Sequence, residues 1–117
     1  MAQPGRAPQA AVFPINIHWN QQKGWWITPQ SGRVPLNDTV QFNADTDCTV
    51  YFDPTNTVFG ASHNVNVGSS WDVPVGNINC TVSLCATGQS APPCNPNVRI
   101  ADSMGTIIVG SGGEDRK

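Results

Sequence analysis

Charge is scarce in this chain of 117 residues. Only 12% of them are Asp, Glu, Lys or Arg, against the ~25% usual for soluble domains. Six basic and eight acidic residues leave a net charge of −2, with no basic run. That argues against nucleic acid and against an anionic membrane surface as partners. No apolar run reaches the ~18–20 residues that span a bilayer, so membrane insertion is not expected. Met1 to Ala10 lack the apolar core of a signal peptide, and the sequence is read as the mature form of an exported protein. Histidine is limited to His18 and His63, and no glutamate precedes Glu114. A two-carboxylate acid/base pair would have to be built from aspartates alone. There is no His-Glu-x-x-His, no nucleophile elbow and no Gly-rich phosphate loop. An enzyme is not expected.

What is present is β-forming. Asn, Thr, Ser and Gln supply the polar positions, and 10 Pro and 11 Gly are scattered along the chain. No stretch sustains helical spacing of apolar residues. Period-two alternation is plentiful, starting at Val12, Ile15 and Ile17, and at Trp25 to Ile27. Val40 and Phe42, Val50 and Phe52, and Val65 and Val67 repeat it. Ile78, Cys80, Val82 and Leu84 give the cleanest run, followed by Val98 with Ile100 and by Ile107 to Val109. About seven to eight short strands divided by turn residues predict an all-β, Greek-key β-sandwich. Length allows one domain with a real core. The predicted division is a flexible arm over 1–11, one sandwich over 12–110 and a polar tail over 111–117. The longest irregular stretch is 86–97.

Two segments carry a family resemblance. Asn37-Asp38-Thr39-Val40-Gln41-Phe42-Asn43-Ala44-Asp45 runs into Cys48-Thr49-Val50-Tyr51-Phe52, and the chain closes on Met104-Gly105-Thr106-Ile107-Ile108-Val109-Gly110. Together they resemble the framework of the cupredoxins, small blue-copper sandwiches. The resemblance covers roughly residues 34–110. It implies a Greek-key fold, a copper site and electron transfer, with Met104 at the axial position and Cys85 or Val82 at the position of the family cysteine. Blue copper takes two imidazoles and a thiolate in a plane. The first imidazole's place is held by Cys48, and no histidine lies between Cys85 and Met104. No resident cofactor is therefore expected. The alternative is copper held by an unusual set drawn from His63, Cys85, Cys94 and Met104.

The four cysteines also suit disulfides, and four of them in a small, weakly charged chain suit an extracellular or periplasmic location. If the strands of Cys48 and Cys80 are neighbours, as the resemblance implies, these two join and Cys85–Cys94 closes the Pro-rich loop. Cys48–Cys85 with Cys80–Cys94 is the rival, and Cys80–Cys85 with Cys48–Cys94 the least favoured. A Cys-rich zinc site is disfavoured because no Cys-x-x-Cys occurs.

Four tryptophans remain. Trp25 and Trp26 point to opposite faces of one strand, so one is expected in the core and the other outside. An exposed ring flanked by Asn20, Gln21, Gln22 and Gln30 could stack on a sugar, which makes carbohydrate a second candidate ligand. Asp45, Asp47 and Asp53 lack the Gly and Glu of a calcium loop and read as turn formers. Asn37 and Asn79 begin short Asn-x-Thr sequons. The expected function is a non-catalytic secreted or surface module with a structural or interaction role. Protein partners or self-association would come through the arm ending Ala10-Ala11-Val12-Phe13-Pro14 on an open sheet edge.

Overall fold

The computed structural model describes residues 11–97 and 104–110. Nine strands run β1 Val12–Asn20, β2 Gly24–Thr28, β3 Ser31–Val34, β4 Thr39–Ala44, β5 Cys48–Asp53, β6 Ser62–Val65, β7 Trp71–Pro74, β8 Cys80–Gly88 and β9 Met104–Val109. They form a four-stranded sheet, β2-β1-β4-β7, and a five-stranded sheet, β3-β9-β8-β5-β6. β1 pairs parallel with β4 and β3 with β9; the other pairings are antiparallel. The all-β sandwich expectation holds. No helix among the described residues is long and apolar enough to cross a membrane.

The alternating residues face inward as their phase requires. Ile15 and Ile17, Val40 and Phe42 from one sheet meet Val50 and Phe52, Val82 and Leu84, Ile107 and Val109 from the other, all buried. Phe13 lies over Gly32, where an added Cβ would sit 2.1 Å from the ring, so β1 and β3 touch because that residue has no side chain. Along the β6–β7 side, Phe42, Phe52, Phe59 and Trp71 pack ring against ring at 4.9–6.0 Å. Burying one such ring contributes ~1.5–3 kcal/mol.

Local signals explain the turns. The β1–β2 hairpin has a three-residue loop with Gly24 at φ 76°, the left-handed position such loops need. Asn20 Oδ1 accepts the amides of Gln22 (3.0 Å) and Lys23 (2.7 Å). Asn37 sits in a turn at φ 70°. Pro14 falls in the half of β1 that β2 does not reach, where a missing N–H is tolerated.

Two strand expectations change. β3 and β7 carry no clear alternation: each is four residues long with one fully buried side chain, at a sheet edge. Ile78 lies outside β8 and is 71% exposed. Val98 and Ile100 fall outside the described residues. β1 begins at Val12, where the alternation was expected to start.

Candidate functional site

Cys48 opens β5, opposite Val65 and Gly88, and its side chain is fully buried. Burial, reinforced by the charges of Asp47 and Asp45, pushes its thiol pKa up to about 12. Gln89 closes this end of the sandwich: its Nε2 donates to the Cys48 carbonyl (3.3 Å) and to Asn66 Oδ1 (2.5 Å). Cys48 is thus a neutral thiol in an apolar end, not a poised ligand.

Cys85 and Met104 are cross-strand partners in β8 and β9. They have the opposite phase to Leu84, Ala86 and Ile107, so both stand on the outer face of the five-stranded sheet. Met104, at the axial position of the resemblance, therefore faces away from the core. Cys85 is bonded to Cys94, with Cα atoms 6.2 Å apart. This bridge folds the Pro-rich loop back over the sheet and leaves Cys85 buried.

The expected second bridge is absent: Cys48 and Cys80 are free. Their strands are neighbours, as anticipated, but antiparallel. Cys48 pairs with Gly88 at one end of β8 and Cys80 starts the other, which separates them by roughly 26 Å at ~3.3 Å per residue. Burial also raises the Cys80 pKa.

His63 stands on β6 opposite Val50. Its exposed ring lies flat on Trp71, centroids 3.7 Å apart and 6° from parallel. It closes the seam between the edge strands β6 and β7. Three strand spacings, roughly 14 Å, and the thickness of a sheet part it from Met104. The set His63, Cys85, Cys94 and Met104 is not brought together. His18 is on the other sheet. Its Nδ1 donates to Asp45 Oδ2 (3.1 Å), so in the neutral ring Nε2 accepts from the Thr28 hydroxyl (2.9 Å). The side chains do not fit a two-imidazole copper site. Among the described residues no three His, Cys, Asp or Glu gather as a metal-binding group.

A purple cupredoxin from Nitrosopumilus maritimus matches at TM-score 0.57 and 15% identity, over 84% of this chain and 99% of that one. The fold is cupredoxin-like. A dithionite-reduced auracyanin from Roseiflexus castenholzii matches at TM-score 0.50 and 11% identity, over 89% and 99% of the two chains. At such identities the likeness carries the fold and no residue's role. No protein-family model and no curated protein sequence matches the chain.

Within this cupredoxin-like frame the tryptophans divide as their phase requires. Trp25 leans on the core and is tilted against Trp19, which is 40% exposed. Trp26 is on the outer face of the four-stranded sheet, stacked on His18 at 4.9 Å, with Lys23 Nζ 4.5 Å from its ring centroid. A sugar would therefore meet a Trp26 already engaged by two side chains. The aspartates tie distant segments together: Asp45 Oδ1 accepts the Trp19 amide (3.1 Å) and Asp47 Oδ1 that of Val67 (2.8 Å), while Asp53 ends β5.

Sequence reasoning overlooked the outer face itself. Asn16 and His18 of β1 and Gln41 and Asn43 of β4 project from it. A shallow groove of about 190 Å³ runs between Asn16, His18, Asn43 and Asp45, and a second adjoins it from Asn43 to Ser69 and Ser70. The polar half of each alternating strand was the available signal, and only the apolar half was followed.

Proposed function

We propose that this chain is a non-catalytic binding module of cupredoxin-like fold, working in an extracellular or periplasmic compartment by interaction rather than by copper-borne electron transfer. The observation that carries this reading is the fate of the cysteines. A buried neutral thiol stands where the resemblance puts the first imidazole, and Cys85 is consumed in a disulfide on the far side of its sheet. Copper binds thiolate and imidazole, and neither is offered at that end. The disulfide supports an oxidising compartment. Self-association is the expected protein interaction: half of β1 has a neighbour on one side only, and an open edge invites another strand.

Native mass spectrometry of the full chain tests this, with Cu(I) and Cu(II) added and with and without reductant. The expected result is a mass short by the hydrogens of one bridge, with no retained copper. Stoichiometric copper with an intense thiolate-to-copper absorption band would overturn the reading. Light scattering tests the assembly role. Deleting residues 1–11 should lower the oligomer mass, and an unchanged mass removes the arm from the proposal.

A further inference from the structure

The outer face of the four-stranded sheet holds a network that the fold does not need. Asn43 is its centre. Its Nδ2 donates to Asn16 Oδ1 (3.4 Å) and Gln41 Oε1 (3.3 Å), and its Oδ1 accepts from Ser70 Oγ (2.5 Å). These bonds join β1, β4 and the loop before β7, and they lie where water could satisfy the same groups at little cost. They fix the amide orientations before any ligand arrives, which lowers the ordering cost of binding. At one end His18 is locked through both ring nitrogens and backed by Trp26. The imidazole wall of the groove is therefore rigid. Ala44 lies along the groove, and Gly68, Ser69 and Ser70 continue it.

We infer that this groove binds a neutral oligosaccharide. The inference rests on the binding-module reading and names its ligand. The polar groups along the groove are amide, hydroxyl and imidazole, with Asp45 the one formal charge when the imidazole is neutral. A carboxylate and no Lys or Arg in the groove select against phosphate, sulfate and acidic sugars. Among the described residues, Asn16 Nδ2 and Gln41 Nε2 donate to no protein group, and Ser70 Oγ keeps its acceptor pairs. Donors and acceptors thus alternate across the face, as a hydroxyl that both gives and accepts requires. The groove is open and elongated, which suits a few residues of a chain rather than one enclosed molecule. The sugar-contact surface moves from Trp25, tied into the core, and Trp26, engaged by His18 and Lys23, to Asn16, His18, Asn43 and Ser70.

The test is a titration of the isotope-labelled full chain, followed by amide NMR. The probes are neutral β-glucan, mannan and chitin oligomers, with a sulfated oligosaccharide and inorganic phosphate as anionic arms. Binding at about a millimolar or tighter is expected, with shifts centred on Asn16, Asn43, Ala44 and Ser70. Asn43→Ala should weaken it about tenfold. Ser70→Ala, in an exposed loop where folding is not at stake, should weaken it about threefold. Trp19→Ala should leave it unchanged. Shifts centred on Trp19, preference for the anions, or no shift with any neutral oligomer would each overturn the groove assignment. None of these outcomes touches the copper measurement, so the binding-module reading stands or falls separately.

Discussion

The two outer faces of this sandwich are built differently. On the five-stranded sheet, the loop after β8 doubles back and is stapled at Cys85, which is buried there on the outer face. On the four-stranded sheet, nothing among the described residues covers Asn16, Gln41 and Asn43, and they bond to one another instead. Covering a polar sheet face yields little hydrophobic energy, so the loop needs a covalent anchor to stay there. Leaving the face bare costs nothing, because water serves the amides as well as they serve each other. The bare face is free to be used, and the stapled loop is spent on structure.

Removing the staple should break that contrast most strongly. Cys85→Ala with Cys94→Ala releases a loop whose ends are nine residues apart, and a loss of about 2–3 kcal/mol is expected. Urea denaturation reads the loss, and limited proteolysis should cut first within 86–97. Unchanged stability and unchanged cleavage would mean that the loop holds itself.

At ordinary pH the next effect comes from the interior. Folding raises the Cys48 pKa from 9.0 to about 12, so between these values the unfolded chain has lost a proton that the folded chain keeps. The contribution is complete below pH 9 and declines as pH rises toward 12, at about 1.4 kcal/mol per pH unit. Cys48→Val should flatten this part of the stability–pH curve. In the native state iodoacetamide should modify Cys80, which is half-buried, well before Cys48; peptide mapping decides the order.

The four-stranded face should be tolerant. Asp45→Ala removes partners of the Trp19 amide and of His18 at an exposed turn, and should cost ~1 kcal/mol by thermal unfolding. Ser70→Ala should change stability by less than ~0.5 kcal/mol. A drop of several kcal/mol from either would show that the amide network supports the fold, and the contrast between the faces would fail.

Much of the fold was legible because alternation is local. Val50 and Phe52, or Val82 and Leu84, declare their inward phase without knowing their neighbours. β3 and β7 were not legible, since an edge strand of four residues with one buried side chain has no pattern to display. The candidate site was less legible still. Asn16 and Asn43 are 27 residues apart, and only the parallel pairing of β1 with β4 makes them neighbours. His63 looked like a loop ligand because its partner, Trp71, belongs to the opposite sheet.

Composition and period two were enough to specify an all-β sandwich and its inward-facing residues, and the sequence itself has no histidine between Cys85 and Met104. Register and sheet order, which arise from contacts far apart in the chain, decided the rest. They part Cys48 from Cys80, turn Met104 outward beside Cys85, and gather the amides of β1 and β4 into one groove. A strand's phase is carried by each residue's own backbone, whereas its neighbour is chosen by the packing of the whole sheet.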